Sequence, residues 1–389
     1  MIKIPPQTQY IIETLNKNGF EAYIVGGSVR DMLLGLTPTD FDVTTSAKPE
    51  DVQSLFEKTV PTGIKHGTIT VVVEGTPIEV TTFRKDGDYK DNRHPEKIDF
   101  VTDIKEDLAR RDFTVNALAY NQNTGIIDFY DGLKDLENKT LRAVGNPKER
   151  FTEDALRILR LFRFASVLGF NIEKQTHDTA IECSELLANI SRERILPELY
   201  KAFAGEFCNV LSPLIKSEAL AFLGVEKLPE FEKIKSLRKN QLLSFFAFLY
   251  FSSDNVLNTL AELKASNKLK DYCENMLNAL SIPTPQTKSD IKRILNIVPL
   301  EVFKDYIIFK EATENCNLNL LNQYISEIIE NREPYLISHL NISGAQIKNS
   351  GFSGKQIGLI LNALLQTVIE NPQKNNYEDL MNEIIEFSP

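Results

Sequence analysis

Two aspartates at alternate positions, Asp40 and Asp42, have the spacing that most directly suggests chemistry in this sequence. They fall in residues 40–43, which are predicted to form a short strand. Side chains alternate faces along a strand, so both carboxylates project to the same side. Two carboxylates this close repel each other unless a cation lies between them. Oxygen ligands of this kind suit Mg²⁺ together with the phosphates of a nucleotide.

The residues before the aspartates provide a site for a phosphate. The apolar run at 23–25 is predicted to be a buried strand that stops at Gly26 and Gly27, where the backbone can turn sharply and approach a ligand. A helix is predicted to begin at Ser28, so the free N–H groups of its first turn point toward the glycines, with Arg30 beside them. Taken separately, the glycine pair is most simply a tight turn and the aspartate pair a solvated strand edge. Their combination within one short unit favours nucleotide chemistry.

The composition is that of an ordinary soluble protein, and 389 residues predict two to three domains. The N-terminus has no signal-peptide pattern and the longest apolar run, residues 242–251, is too short to span a bilayer, so we expect a cytoplasmic protein without membrane contact. The cysteines are far apart and are predicted to be buried thiols rather than disulfides or zinc ligands. The net charge of −10 predicts that nucleic acid is bound at local basic patches, with modest and salt-sensitive affinity.

Strand patterns are concentrated in the first third of the chain. They occur at 69–73, 78–83, 98–101 and 126–130, in addition to the two short strands described above. Residues 1–20 are predicted to form an amphipathic helix whose sheet-facing residues are Tyr10, Ile11, Thr14 and Leu15. From Asn138 onward the periodicity is helical. The predicted fold class is therefore α+β, with a mixed sheet and its helices followed by an elongated all-α part.

The unit at residues 23–44 resembles the signature of the polymerase-beta-like nucleotidyltransferases. It is more similar to that of the bacterial class II tRNA nucleotidyltransferases, the CCA-adding enzymes, whose relatives include bacterial poly(A) polymerases. Further motifs similar to those of this family follow in the same order at 109–117 (ARRDFTVNA), 128–136 (DFYDGLKDL), 153–157 (EDxxR) and 188–195 (ANISRERI). The resemblance implies four segments: a catalytic head (1–138), a base-recognising neck (139–205), a helical body (206–285) and a tRNA-binding helical tail (286–389).

The resemblance also implies roles for residues around the aspartates. Asp40 and Asp42 are expected to hold two Mg²⁺ ions and to be catalytic, with Glu79 as a third carboxylate. The triphosphate is expected to be held by the glycine pair and two arginines, namely Gly26, Gly27, Arg30 and Arg111. A guanidinium suits this role because its planar fork donates two hydrogen bonds to one phosphate. Asp112 is expected to hold the ribose or to brace the arginine.

A predicted helix at 152–168 carries the residues expected to read the base. Arg157, Arg160 and Arg163 share one face, which on its own is most often a salt-bridged surface. The similarity to the family's EDxxR motif implies that Asp154 and Arg157 act as an amino-acid template for the incoming base. Arg160 and Arg163 are then expected to reach phosphate or to brace Asp154. Residues 188–195 are assigned mainly to structure.

The chemistry of an Asp/Arg pair suits cytosine and adenine. A carboxylate only accepts hydrogen bonds and a guanidinium only donates them. Both bases present an amino donor beside a ring-nitrogen acceptor, whereas guanine and uracil present a carbonyl oxygen in place of the amino group. A site of this kind can reject the mismatch by a factor on the order of 10⁴. The choice between C and A must then come from the tRNA 3′ end and from the charged loop at 84–100, which the resemblance links to the change from CTP to ATP.

The resemblance therefore implies an enzyme that adds and repairs the 3′-terminal CCA of tRNA with CTP and ATP, and that contacts the acceptor arm and elbow of tRNA. A poly(A) polymerase, and a partial enzyme that adds only CC or only A, are alternatives on the same scaffold. Residues 63–70 (GIKHGTIT) look more like the CCA-adding relatives, and the loop favours full CCA addition. An inactive RNA-binding protein is a further alternative, which the retained carboxylates disfavour. The oligomeric state stays open, with a homodimer among the options.

Overall fold

The structure is a computed structural model that describes residues 3–87, 97–205 and 208–385. The chain divides into two compact units. The first contains the residues up to Pro229 together with 252–254 and 262–264, and the second contains 230–251, 255–261 and the residues from 265 onward. Within the described ranges, no helix combines the length and the apolar character that a membrane span requires.

The strands lie in the first unit and confirm the mixed sheet predicted for the head. In chain order they are β1 (Ala22–Val25), β2 (Asp42–Thr45), β3 (Thr59–Gly63), β4 (Thr68–Val73), β5 (Thr76–Thr82), β6 (Arg84–Asp86), β7 (Ile98–Phe100), β8 (Leu118–Asn121), β9 (Gly125–Asp128), β10 (Thr140–Leu141) and β11 (Asn171–Ile172). Seven of them form one sheet in the order β3-β4-β5-β2-β1-β8-β9. Neighbours in this sheet are antiparallel, except that β2 and β5 run parallel.

The helices of the first unit are α1 (Pro6–Lys17), α2 (Gly27–Leu33), α3 (Pro49–Leu55), α4 (Ile104–Ala109), α5 (Gly132–Glu137), α6 (Pro147–Glu153), α7 (Leu156–Leu168), α8 (Lys174–Glu182), α9 (Arg192–Ala202) and α10 (Ser212–Lys216). The later helices are α11 (Phe231–Ser236), α12 (Gln241–Ser252), α13 (Val256–Glu262), α14 (Asn267–Ser281), α15 (Lys288–Leu295), α16 (Leu300–Glu314), α17 (Asn319–Glu330), α18 (Gly344–Asn349), α19 (Lys355–Glu370) and α20 (Tyr377–Ile385). In the described part of the chain beyond Asn138, the only strands are the two-residue β10 and β11, and the other regular elements are helices. The predicted change from sheet to helix is thus confirmed.

Helix α1 covers the sheet with one face, as its periodicity predicts. Its buried residues are Thr8, Ile11, Ile12 and Leu15. The prediction that Tyr10 faces the sheet is wrong, because Tyr10 is 52% exposed. At about 100° per residue, position 10 lies nearly opposite the centre of the buried stripe. The Tyr10 ring instead packs edge-on against Phe56.

The second unit has its own apolar core. Helix α19 places Ile360, Leu364 and Val368 on one face, at a spacing of four residues, against Ile347 of α18 and Leu380 of α20. Because all five side chains are buried, they stabilise this end of the chain mainly through the removal of apolar area from water.

The charged segment at 84–100, predicted to be a loop, begins and ends in regular structure. Strand β6 pairs with β7 in an antiparallel ribbon, in which Arg84 lies opposite Phe100 and Asp86 opposite Ile98. Residues 88–96, which form the middle of this predicted loop, lie outside the described residues. The ribbon therefore fixes the two ends of the segment.

The predicted continuous helix at 152–168 is wrong at its start. Helix α6 ends at Glu153 and α7 begins at Leu156, while Asp154 between them is extended, with φ −142° and ψ 100°. The Asp154 carboxylate accepts a hydrogen bond from the backbone N–H of Leu156 (3.2 Å), in the first turn of α7. Aspartate commonly competes with helix in this way, and a break this short leaves the apolar periodicity of the sequence almost unchanged.

The close packing of α5 on the 109–117 segment gives a test of the fold. A methyl group at Gly132, the first residue of α5, would overlap the backbone carbonyl of Thr114. We expect Gly132→Ala to destabilise the first unit by about 1–3 kcal/mol, the usual cost of overpacking. Calorimetric unfolding, which can resolve separate transitions, measures the effect.

Gly358, the fourth residue of α19, is the matched control, because a methyl group added at this position would meet no atom outside the local helix backbone within 4 Å. Gly358→Ala should stabilise the second unit by about 0.5–1 kcal/mol, since alanine loses less backbone entropy than glycine in a helix. An unfolding midpoint of Gly132→Ala equal to that of the unmodified protein would contradict the packing described for α5.

Candidate active site

One cavity of about 630 Å³ in the first unit collects the residues singled out from the sequence. Every predicted site residue except Glu79 lines it. These are Gly26, Gly27, Arg30, Asp40, Asp42, Arg111, Asp112, Asp154, Arg157, Arg160 and Arg163. The cavity also has lining residues that the sequence did not single out, among them Asp31, Arg110, Asn116, Phe164, Arg194 and Lys201.

The aspartate pair lies at the start of β2. Asp42 is the first residue of this strand, and Asp40 precedes it, so the predicted strand at 40–43 began too early. Both residues are exposed. Partial loss of water around the carboxyl group of Asp42, followed by the negative charge of Asp40, raises the pKa of Asp42. The pair therefore carries negative charge that its surroundings do not fully compensate.

Glu79 lies on β5, the strand next to β2, and does not line the cavity. Strands β2 and β5 run parallel, with Val43 beside Val80. Asp42 and Glu79, each one position earlier, consequently project from the same face of the sheet. The charge of Glu79 adds to the rise in the pKa of Asp42.

The carboxylate pair has the chemistry of a partial site for a divalent cation. Among the described residues, no group of three or more His, Cys, Asp or Glu side chains is arranged to hold a metal ion by itself. The two carboxylates supply hard oxygen ligands. Because loss of water and then the charge of Asp40 raise the pKa of Asp42, a cation beside the pair would favour the charged form of Asp42. The pair thus fits a cation that takes its remaining ligands from substrate phosphates and water.

The glycine turn has the close approach that the sequence predicts. Gly26 has φ +74°, a region that favours glycine, and a methyl group there would lie 2.9 Å from Nη1 of Arg111. The turn between β1 and α2 therefore lies directly against an arginine. The close approach of Arg111 to the glycine turn places a positive group at the predicted phosphate site.

Asp107, which sequence analysis missed, holds this arginine. Its fully buried carboxylate accepts hydrogen bonds from Arg110 (2.8 and 3.0 Å) and from Nη2 of Arg111 (3.5 Å). Burial alone would raise the pKa of Asp107, but Arg110 and Arg111 lower it below its usual range. The spacing i, i+3, i+4 from Asp107 to the two arginines was a signal that could have found it.

Phe164 of α7 gathers three arginines around one ring. The guanidinium carbons of Arg163, Arg30 and Arg160 lie 3.9, 4.9 and 5.3 Å from its centroid. Arg30 is buried and donates to the side chain of Asn116 (2.6 Å). Because Arg30 belongs to α2 and the other two to α7, Phe164 links the glycine turn to the helix predicted to read the base.

Asp112 braces an arginine of α7. Its Oδ2 accepts a hydrogen bond from Nε of Arg160 (2.8 Å), and its Oδ1 accepts one from Nδ2 of Asn116 (3.0 Å). Burial alone would raise the pKa of Asp112, but the charge of Arg160 and these hydrogen bonds lower it to about 2. Asp112 therefore braces Arg160, whereas its predicted role in holding the ribose or bracing Arg111 stays a prediction.

Asp154 and Arg157 face the same cavity but have different partners. Arg157 donates to Oε2 of Glu153 (2.6 Å) and to the backbone carbonyls of Arg150 and Arg110 (3.0 and 2.8 Å). The partner of Asp154 is Arg194 of α9, whose Nη1 and Nη2 donate to Oδ1 (3.1 Å) and Oδ2 (2.8 Å). The two contacting residues are forty positions apart, so no local spacing predicts this pair.

The low pKa of Asp112 predicts how the free energy of unfolding depends on pH. A carboxyl whose folded pKa is about 2, against an ordinary value of 3.8, stabilises the fold above pH 3.8, and this contribution is lost as the pH falls toward 2. At about 1.4 kcal/mol for each pKa unit, the contribution at neutral pH is roughly 2 kcal/mol. We expect Asp112→Asn to lower the free energy of unfolding, and the difference from the unmodified protein to shrink between pH 4 and pH 2. Urea titrations at several pH values measure this, and a difference independent of pH would contradict the assigned pKa.

The chain matches two protein-family descriptions. Residues 22–142 match "Poly A polymerase head domain", and residues 169–232 match "Probable RNA and SrmB- binding site of polymerase A". The CCA-adding enzyme of Lactococcus lactis subsp. cremoris (strain MG1363) is 37% identical to it, over 97% of this chain and 95% of that protein. The CCA-adding enzyme of Staphylococcus haemolyticus (strain JCSC1435) is 35% identical, over 98% of this chain and 96% of that protein.

Solved structures show the same relationship. The CCA-adding enzyme of Bacillus stearothermophilus in complex with CTP superimposes with a TM-score of 0.82 at 31% identity, covering 98% of this chain and 99% of that one. The Thermotoga maritima CCA-adding enzyme complexed with tRNA shares the fold, with a TM-score of 0.69 at 21% identity over 99% of this chain and 97% of that one. The similarity includes the helical part as well as the head, and it confirms the family predicted from the motifs. The chain therefore belongs to the CCA-adding enzymes, a family of nucleotidyltransferases with a poly(A) polymerase-type head.

Proposed function

We propose that this chain completes and repairs the 3′-terminal CCA of tRNA from CTP and ATP, without a nucleic-acid template. The observation that carries the proposal is the cavity that combines a carboxylate pair, arginines suited to a triphosphate, and the separately held Asp154 and Arg157. Similarity to CCA-adding enzymes along nearly the whole chain supports the same substrates.

In the proposed reaction, the 3′-hydroxyl of tRNA attacks the α-phosphorus of the nucleotide in line. A bond forms between the 3′ oxygen and this phosphorus, the bond to the bridging oxygen breaks, and pyrophosphate leaves. Asp40 and Asp42 would hold Mg²⁺, which when bound lowers the pKa of the attacking hydroxyl and neutralises charge on the phosphates. Glu79, beside Asp42 on the same sheet face, would act near the hydroxyl. The triphosphate would be held by Gly26, Gly27, Arg30 and Arg111.

Asp154 and Arg157 would read the Watson–Crick edge of the base. A carboxylate accepts roughly four hydrogen bonds, and from the residues that the structure describes Asp154 receives three, one from Leu156 and two from Arg194. This leaves one accepting position for the amino group of cytosine or adenine. Arg157 uses three of its five N–H hydrogens on Glu153 and two carbonyls, which leaves donors for the ring nitrogen. Arg160 and Arg163 lie further along α7 and would support this surface through Asp112 and Phe164.

We also propose that the functional segments follow the boundaries expected from the sequence. The head would span 1–138, the base-reading neck 139–205, the helical body 206–285 and the tail 286–389. The body and tail would bind the acceptor arm and elbow of tRNA. The relative from Thermotoga maritima, complexed with tRNA, supports this assignment through its shared fold.

A poly(A) polymerase is the second candidate, because the head matches a domain that carries that name. Incorporation into three tRNA transcripts, ending at the discriminator base, at C and at CC, separates the two. We expect CTP to extend the first transcript by two residues, and ATP then to add one and stop. A long ladder made from ATP alone on any RNA would show a poly(A) polymerase instead, and addition of only CC or only A would show a partial enzyme.

The proposed catalytic acid gives a further prediction. Asp42→Asn should lower kcat by at least about 100-fold, the scale of losing one group that supports charge at the reacting phosphate, while tRNA affinity stays nearly unchanged. Single-turnover incorporation with Mg²⁺ and a tRNA-binding titration measure the two effects. Asp178→Asn is the matched control, because Asp178 is an exposed acid of α8 outside the cavity. Activity of Asp42→Asn equal to that of this control would remove Asp42 from the catalytic site.

A further inference from the structure

We infer that Arg194 is the positioning residue that fixes the Asp154 carboxylate, and that it thereby sets the preference for bases with an amino group. This inference rests on the proposed base-reading role of Asp154. Arg194 lines the same cavity, and its two terminal nitrogens donate to both oxygens of Asp154, at 3.1 and 2.8 Å. A bidentate pair of this kind fixes the plane of the carboxylate as well as its position.

Asp154 needs such a support because its backbone belongs to neither helix. It lies in the break between α6 and α7, and the only hydrogen bond of its side chain besides those from Arg194, among the described residues, comes from the N–H of Leu156. One bond to one oxygen leaves the carboxylate free to rotate about its terminal torsion, which has a broad energy minimum. The two bonds from Arg194 remove that freedom.

Arg157 does not provide this support. It is buried, and the hydrogen bonds of its guanidinium go to Glu153 and to the carbonyls of Arg150 and Arg110. The two arginines therefore have different tasks. Arg157 is anchored to the backbone of the head and neck, whereas Arg194 is joined to the acid itself.

Helix α9 holds Arg194 in place through a second ion pair one turn further along. Glu198, at position i+4, is buried and pairs with Nε of Arg163 (2.5 Å) and with Arg160 (3.7 Å) on α7. Residues four apart share a helix face, so this face of α9 presents a cation to Asp154 and an anion to the arginines of α7. The complementary charges fix the register of α9 against the break.

A fixed carboxylate plane has a direct consequence for base selection. Three of its roughly four accepting positions are used, so the remaining one has a defined direction. A carbonyl oxygen of uracil or guanine at that point would face an acceptor and leave both groups unpaired, which is the basis of strong rejection. A carboxylate that can rotate loses this defined direction, and a water molecule can then bridge the mismatch.

The test compares Arg194→Gln and Arg194→Lys with the unmodified full chain. The ratio of kcat/KM for CTP to that for UTP is measured on a tRNA transcript ending at the discriminator base. The ratio for ATP to that for GTP is measured on a transcript ending at CC. We expect both variants to lower the preference for the correct nucleotide by roughly 10-fold or more, because neither side chain reproduces the planar fork. The affinity for tRNA should stay unchanged, and kcat with CTP should fall less than the preference does. The lysine variant keeps the positive charge, so it decides the outcome if the glutamine variant is unstable.

Arg192, in the same turn of α9, provides the matched control. It contacts the Phe222 ring and the carbonyls of Ala188 and Ile190, not Asp154. Arg192→Gln and Arg192→Lys should leave the nucleotide preference as it is. An equal loss of preference in the Arg192 and Arg194 variants would show a general effect of α9 and overturn the inference.

Asp154→Ala separates this inference from the proposed function. If Arg194 acts through Asp154, then Asp154→Ala lowers the preference and the double variant with Arg194→Gln loses no more than Asp154→Ala alone. Two results would overturn the positioning role and leave base reading by Asp154 intact. One is a double variant whose loss of nucleotide preference equals the sum of the two single losses. The other is an unchanged preference in both Arg194 variants while Asp154→Ala lowers it. Unchanged preference in Asp154→Ala would refute base reading itself.

Discussion

Mutual repulsion among the arginines of one cavity is the constraint on which this site depends. Seven of the lining residues are arginines, which would not stay together without compensating charge. The structure supplies it with carboxylates from several elements, each placed against a guanidinium. These acids are Asp31, Asp107, Asp112, Glu153, Asp154 and Glu198. The cavity is therefore a network of ion pairs in which the acids fix where each cation points.

This network explains how a chain with a net charge of −10 can serve a polyanionic substrate. Global charge affects long-range attraction, but binding depends on the cations at the site. Burying acids such as Asp107 beside arginines costs desolvation, which the geometry of several hydrogen bonds offsets. Among the residues that the structure describes, no arginine or lysine forms an ion pair with Asp40 or Asp42. The same cavity thus combines paired arginines with an incompletely compensated anionic pair that suits a metal ion.

Sequence reasoning predicted the fold and the residues that line the cavity but not the ion pairs between them, and its failures have physical causes. Period-two and helical patterns located the sheet and the helical part, because burial of one face repeats along each element. Motif similarity located the residues of the cavity, but not the partners that hold them. Asp107 could have been found from its spacing to Arg110 and Arg111, whereas the pairing of Asp154 with Arg194 depends on how α9 packs, which no local pattern contains. The burial of Tyr10 was mispredicted because Tyr10 was placed on the buried face for its apolar character, without regard to its angular position around the helix.

The break between α6 and α7 at Asp154 interrupts a segment whose periodicity predicts a continuous helix, and the interruption changes which side chains can pair. In a continuous helix, Asp154 and Arg157 would be three residues apart and would form a salt bridge with each other, since that spacing brings side chains into contact. Such a pair would satisfy its own hydrogen bonds and leave little for a base. In the interrupted helix, Arg157 forms a salt bridge with Glu153, and Asp154 forms one with Arg194. The acceptor and the donor are thus held apart by different partners, and under the proposed base-reading role their remaining hydrogen-bonding capacity would serve a nucleotide.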